Sequence, residues 1–538
     1  MRLLNAHTLK LELFHDPAAQ NIQYATLSHT WGEDEVSFGD MEDPAAAEKK
    51  LGFAKIRSAC ETTIAYGLSY VWVDTCCIDK SSSAELSEAI NSMYRWYKNS
   101  VFCFVYLSDL PPNQAADQSA LDKCRWFTRG WTLQELIAPK DVVFFDQDWK
   151  RIGTKSELKE VIANITRVNH QILDGSRPLS SVAIAKRMSW ASRRETTRVE
   201  DMAYSLLGIF DINMPMIYGE GPRAFMRLQG EILHATTDLS IFAWQAVGLE
   251  AHRGVFATSP AEFRDCGSIE RNQDQFRFRD EISLTNRGIK IHTLIAHSDR
   301  GIFILDLHCS DMQSQASPER LGIELARELD TFYRASSGSL YRGSMKAAHG
   351  PRTIYLAPSD NALEPLSESR KLKIDLTMDA ALRRLFIVKD IRAVPELFWD
   401  QRRECFSLPG FSNFLGFLRF HIAPGGTALL LVFNLVRGDD LRVGFLEERH
   451  FPSGYRNIIN PFTNIEDYPP LGDPFSLFHA CPKESTGRSS ATHSSRNFRL
   501  RAELGMSDIT HLAIKVRIEM LPADRSWYDR PWICGIKR

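Results

Sequence analysis

Apolar positions in the first part of this chain alternate between two rhythms. Short runs, apolar on both faces, fall at Tyr24–Ser28, Tyr70–Asp74, Val101–Leu107 and Val142–Phe145. Runs of this kind are the buried strands of a parallel sheet. Between them the apolar residues recur every three or four positions. Gly52–Tyr66 carries Phe53, Ile56, Cys60 and Ile64 on one stripe, and Ala84–Lys98 carries Leu86, Ile90, Met93, Tyr94 and Tyr97. Both are helical patterns. Ser81, Ser82 and Ser83 are N-cap candidates for the second helix, and Glu85 and Glu88 fall in its first turns, where they oppose the helix dipole. Strands and helices that alternate with short connections predict a parallel sheet with helices packed on its faces.

Past residue 150 the rhythm changes twice. Ser156–Ala235 is mostly helical, and Asn213–Gly221 breaks the chain before a final helix. Pro222 suits that helix's first position, and Phe225, Leu228, Ile232 and Leu233 form its apolar stripe. After Leu239 come short apolar runs at Ile241–Trp244, Ile289–Ala296, Ile302–His308, Leu372–Leu376, Leu429–Phe433 and Leu512–Ile518. Turn signals separate them, among them Asn286-Arg287-Gly288 and Pro424-Gly425-Gly426. The expected organisation is an α/β domain over 1–150, a helical extension over 151–238 and a β-rich C-terminal domain over 239–538. Pro482–Asn497, rich in Ser, Thr and charge, reads as a mobile loop. No repeat of fixed period stands out.

Composition narrows the class. A chain of 538 residues with 44% hydrophobic and 25% charged residues is ordinary globular protein. Its formal net charge of −2 gives no general attraction to nucleic acid or to anionic membrane, so no nucleic-acid partner is expected. No segment approaches the ~18 uninterrupted apolar residues of a membrane helix, and the first twenty residues show no apolar signal core. Ten cysteines without a Cys-x-x-Cys pair predict free thiols, a cytoplasmic location and no metal site.

Three segments carry candidate chemistry. Tyr24-Ala25-Thr26-Leu27-Ser28-His29-Thr30-Trp31-Gly32 and Tyr70-Val71-Trp72-Val73-Asp74-Thr75-Cys76-Cys77-Ile78-Asp79 are strands that end abruptly in polar residues. That pattern delivers side chains to the carboxyl edge of a sheet, where α/β proteins place their sites. Ser28, His29 and Trp31 read either as a ligand-binding edge or as a structural turn with Trp31 in the core. Asp74 and Asp79 could bind a metal or a ribose hydroxyl, or satisfy backbone amides where strand becomes loop. Cys76 and Cys77 have no local base or positive field to make a thiolate. In Arg129-Gly130-Trp131-Thr132-Leu133-Gln134-Glu135-Leu136 a helix would put Trp131 and Glu135 on one face.

These three segments, in this order and after Met1-Arg2-Leu3-Leu4-Asn5, resemble the HET domain of fungal heterokaryon-incompatibility proteins over roughly residues 1–150. A weaker likeness runs on through Ser189-Trp190-Ala191, Glu200-Asp201-Met202-Ala203-Tyr204-Ser205-Leu206-Leu207-Gly208, Met216-Ile217-Tyr218-Gly219-Glu220-Gly221 and the later Leu284-Thr285-Asn286-Arg287-Gly288. HET domains look like distant relatives of TIR domains, which implies a flavodoxin-like parallel sheet. Trp131-Thr132-Leu133-Gln134-Glu135-Leu136 is similar to the Trp-x-x-x-Glu-Leu motif of TIR enzymes, whose glutamate cleaves NAD at the nicotinamide–ribose bond.

The resemblance implies an effector of incompatibility, innate immunity and cell death. NAD would be its substrate and Glu135 its catalytic carboxylate. Ser28, His29, Trp31, Asp74 and Trp131 would line the pocket, with Arg129 on phosphate. Self-association or an incompatibility partner is implied too. The other reading makes the same motifs structural, with Glu135 paired to Arg129 or Arg125, in a non-enzymatic interaction module. No Gly-x-Gly-x-x-Gly, Walker or Gly-x-Ser-x-Gly signature adds to either.

Overall fold

A computed structural model describes residues 1–359, except 16, 18, 113–117, 247–252, 273–280, 298–302, 314–318, 329–330, 336, 343–344 and 346–350. Beyond 359 it describes a set of strands between 370 and 520 and little else.

The N-terminal sheet contains β1 (Arg2–Asn5), β2 (Leu11–Leu13), β3 (Ala25–His29), β4 (Tyr70–Val73), β5 (Phe102–Tyr106), β6 (Val142–Phe145) and β7 (Arg151–Thr154). Its order is β2-β1-β4-β3-β5-β6-β7. The four runs read from the sequence form the parallel centre, β4-β3-β5-β6. The expectation of a parallel sheet needs one correction. The edges are antiparallel, with β1 and β2 on one side and β7 on the other. These edge strands are short and partly exposed, so they lack the apolar runs that reveal the buried centre.

The connections carry α1 (Pro44–Ala47), α2 (Phe53–Ala65), α3 (Ser83–Asn99), α4 (Gln118–Asp122), α5 (Arg125–Thr128) and α6 (Thr132–Ile137). Ser82 caps α3 by accepting from the Glu85 amide. Phe53, Ile56 and Cys60 of α2 are buried, whereas Ile64 is exposed. Side chains alternate along β3. Ser28 turns toward α5 and α6, where it bonds Trp126 and Glu135. His29 turns the other way, toward α2 and Lys55.

Residues 159–235 form α7 (Lys159–Thr166), α8 (His170–Leu173), α9 (Ile184–Ser189), α10 (Asp201–Tyr204), α11 (Leu207–Phe210) and α12 (Arg223–Ala235). Phe225, Leu228, Ile232 and Leu233 are buried as expected. The segment packs on the first sheet's helices, α11 against α3. A Cβ added at Gly208 would lie 2.1 Å from the Tyr94 Cβ, so only glycine allows this approach.

Strands between Ile269 and Leu356 form a nine-stranded sheet, and strands between Arg370 and Met520 form two more. Asn286-Arg287-Gly288 makes the hairpin between Ile282–Thr285 and Gly288–Thr293, with Gly288 at φ 116°. The apolar run at Ile241–Trp244 is not a strand. Leu239–Phe242 is a 3₁₀ turn, begun by the Asp238 carboxylate accepting from the Ser240 amide. Within the expected loop at 482–497, Thr486–Gly487 and Ser490–Ser494 are strands, and the other residues of that stretch lie outside the described set.

Candidate functional site

A cavity of about 310 Å³ opens at the carboxyl edge of β3 and β4. His29, Thr30, Trp31 and Asp74 come from the strand ends. Leu86, Ile90 and Met93 of α3 supply an apolar wall, Trp131 and Glu135 another side, and Arg198, Asp201 and Tyr218 close it from the later helical segment.

Glu135 is buried on α6. That helix is short but held at both ends. The Arg194 guanidinium donates to Thr132 Oγ1 (2.8 Å) and to the Arg129 carbonyl (2.7 Å) at its start. The buried Lys155 ammonium donates to the Pro139 (2.5 Å) and Leu136 (3.3 Å) carbonyls at its end, where a cation opposes the helix dipole. The Ser28 hydroxyl donates to Glu135 Oε2 (2.5 Å) and accepts from the Trp126 indole N–H (2.7 Å). The Tyr97 hydroxyl, which donates to the Leu27 carbonyl (3.2 Å), lies near the same carboxyl. Burial, and next the Asp74 carboxylate, push Glu135 up to about 8, while the Ser28 and Tyr97 hydroxyls and Arg194 pull the other way. The carboxyl's hydrogen-bond partner is the Ser28 hydroxyl, not the Arg125 or Arg129 of the structural alternative. Ser28 does not line the cavity; it stands behind Glu135 and fixes it.

Trp31 does not fill the core. It is 47% exposed at the cavity mouth, with Nε1 donating to Asp74 Oδ2 (2.8 Å) and the Lys80 ammonium 3.8 Å from its ring centroid. Burial raises Asp74 and lowers Lys80. His29 is held well below the usual imidazole range, first by burial and then by Lys55 and Lys80, so its ring is neutral. On the opposite wall Trp131 Nε1 donates to Asp201 Oδ2 (3.4 Å), whose other oxygen accepts from Tyr218 (3.0 Å). Arg198 lies over the Tyr218 ring. Arg129 donates through both terminal nitrogens to Thr197 Oγ1 (3.2 Å each).

Asp79 is not part of the cavity wall. It accepts from the Ser81 amide and hydroxyl, a loop-capping role. Cys76 and Cys77 are buried; a hydrogen bond from the Cys76 thiol to Cys77, and burial, raise Cys76 well above its ordinary value, so it is no thiolate.

Residues 24–119 match the family model described as heterokaryon incompatibility protein (HET). The chain carries a HET domain. Vegetative incompatibility protein HET-E-1 of Podospora anserina is 50% identical over 225 residues, which cover 40% of this chain and only 16% of that relative. Residues 223–254 match a domain of unknown function, DUF8212. Among solved structures, a lectin of Xerocomus chrysenteron, XCL, aligns over 28% of this chain and 99% of its own with 12% identity and a TM-score of 0.19, too weak to bear on fold or function.

The matched stretch of the HET domain holds Ser28, His29, Trp31, Asp74 and Lys80, whereas Arg129, Trp131, Glu135, Arg198, Asp201 and Tyr218 lie past it. Of the residues expected from the sequence, His29, Trp31, Asp74, Arg129, Trp131 and Glu135 converge on one cavity. Lys80, Arg194, Arg198, Asp201 and Tyr218 were missed. Asp201 and Tyr218 fall inside the Glu200–Gly208 and Met216–Gly221 segments of the weaker likeness, which was their only signal. Lys80 directly follows the second motif.

Proposed function

We propose that the HET domain of this chain is the effector of a vegetative incompatibility response and cleaves NAD at its nicotinamide–ribose bond. The observation that carries the reading is Glu135: a buried carboxyl, held by the Ser28 hydroxyl, in the wall of a cavity with aromatic and cationic groups around it. Breaking the bond builds positive charge on the ribose, which a carboxylate beside the ring stabilises. At rest Glu135 holds its proton near neutral pH. A bound pyridinium cation favours the ionised form and draws the carboxyl back toward its ordinary range. Trp31 and Trp131 offer flat faces to the nicotinamide, and Lys80, Arg129 and Arg198 offer charge to the diphosphate. The parallel strands, numbered by their order in the chain, run 2-1-3-4, which supports a flavodoxin-like, TIR-like assignment.

On this reading the protein acts in non-self recognition, immunity and cell death in the cytoplasm, assembled with itself or with an incompatibility partner. No described helix is long and apolar enough to cross a membrane. The test compares nicotinamide release by the wild-type chain and Glu135→Gln, with circular dichroism to match their folding. Release that falls about 100-fold or more in the variant supports the enzyme. No release from either, even when assembly is forced by fusion, transfers the function to protein contacts.

A further inference from the structure

Beside the cavity mouth three side chains face one another with polar atoms unused. His29 Nδ1 lies 3.9 Å from Asp74 Oδ1, and His29 Nε2 lies 3.9 Å from Glu35 Oε2. All four atoms are shut off from solvent, and none has a hydrogen-bond partner. The outer oxygens are engaged. Asp74 Oδ2 accepts from Trp31 Nε1, and Glu35 Oε1 accepts from the Gly32 amide and the Lys55 ammonium. Burying an imidazole with neither nitrogen satisfied costs free energy, and such a group in a native structure calls for a functional explanation. The gaps are about 1 Å longer than a direct N–O hydrogen bond, so a small shift of either carboxyl closes one. Imidazole takes a proton at one nitrogen and gives one from the other. Here the two nitrogens look at different carboxyls: Asp74 lines the cavity, and Glu35 leads out to Lys55.

We propose that Asp74 takes the proton from the water that attacks the ribose, and that His29 passes it to Glu35. This rests on the NAD reading above. The C1′–N bond breaks with its electron pair going to the pyridinium nitrogen, which leaves as neutral nicotinamide. The water oxygen bonds to C1′ and gives its proton to Asp74. The proton lands on Oδ2, the oxygen on the Trp31 side; the carboxyl then turns about its Cβ–Cγ bond so that this oxygen protonates His29 Nδ1, and His29 Nε2 gives a proton to Glu35 Oε2, so one proton leaves per water consumed. Asp74 is the catalytic residue of this step; His29 and Glu35 act through it and are positioning residues. Glu135, on the other face of β3, keeps the separate task of stabilising the ribose cation.

The test uses the full chain with NAD and 3-acetylpyridine, and measures ADP-ribose together with the exchanged dinucleotide. The pyridine nitrogen carries no proton when it attacks C1′, so exchange needs no proton acceptor, whereas hydrolysis does. Asp74→Asn, His29→Gln and Glu35→Gln are compared after circular dichroism and thermal melts confirm their folding. Loss of a general base typically costs about 10²–10⁴-fold. Asp74→Asn and His29→Gln should therefore raise the ratio of exchange to hydrolysis on the order of 100-fold, and Glu35→Gln should raise it less. Glu135→Gln should lose both products. A purely structural role lowers both products together, so an unchanged ratio in the folded variants overturns the relay and leaves NAD cleavage standing. Neither product from wild type overturns the NAD reading itself.

Discussion

Ser28 and His29 are neighbours on one strand, yet the two faces of β3 they enter are built differently. On the Ser28 face the hydroxyls and the indole are matched: Trp126 donates to Ser28, Ser28 donates to Glu135, and Tyr97 donates to the Leu27 carbonyl. On the His29 face both ring nitrogens, Asp74 Oδ1 and Glu35 Oε2 are buried without partners. The first arrangement holds a carboxyl in one rotamer. The second leaves a neutral imidazole free to respond to whatever enters the cavity. One side of the strand is thus settled for geometry and the other is left open for chemistry.

The largest expected effect on stability comes from Glu135→Gln, and its sign depends on pH. The folded carboxyl titrates at about 8, above its unfolded value, so the native state binds the extra proton and wild-type stability falls as pH rises through that window. Glutamine does not titrate. The variant's Tm should therefore exceed that of wild type by more at pH 9 than at pH 5, an advantage on the order of a few kcal/mol. Equal offsets at both pH values would mean that burial does not govern this carboxyl.

Ser28→Ala should cost about 1–3 kcal/mol in chemical denaturation, because it strands the Trp126 N–H and strips Glu135 of a donor. It also removes an interaction that lowers the Glu135 pKa, so activity that needs the carboxylate should rise with pH later than in wild type. His29→Leu is the counterpart on the open face. It removes a buried group that has no hydrogen bond, so stability should stay within about 1 kcal/mol of wild type or improve. If the two variants cost the same, the faces do not differ as described. Trp31→Ala should be the mildest in stability, about 1 kcal/mol or less for a half-exposed ring under a lysine. Its effect should appear in ligand affinity, measured as a raised KM for NAD.

Much of the fold was legible because burial on both faces leaves an unbroken apolar run. That made Tyr24–Ser28, Tyr70–Asp74, Val101–Leu107 and Val142–Phe145 readable as the parallel centre. Arg2–Asn5, Leu11–Leu13 and Arg151–Thr154 escaped notice, since short edge strands need no such run. Ile241–Trp244 misled because a short apolar run fits a buried 3₁₀ turn as well as a strand. In the site, motif spacing carried Glu135, Trp131, Asp74 and Trp31, all near strand or helix ends. Arg198, Asp201 and Tyr218 reach the cavity from more than sixty positions beyond Glu135 in the chain, and Arg194 braces the start of α6 from nearly as far; local spacing says nothing about such approaches.

By itself the sequence determined which segments become strands and helices, and which polar residues stand at the strand ends, because hydrophobic period and local capping are short-range properties. Only the tertiary structure decided what each polar residue does. Ser28 became the support of Glu135 rather than a wall of the cavity, Trp31 a rim rather than a core residue, and His29 an unpaired imidazole between two carboxyls. Those outcomes depend on which helix covers which face of β3, and on desolvation by segments distant in the chain.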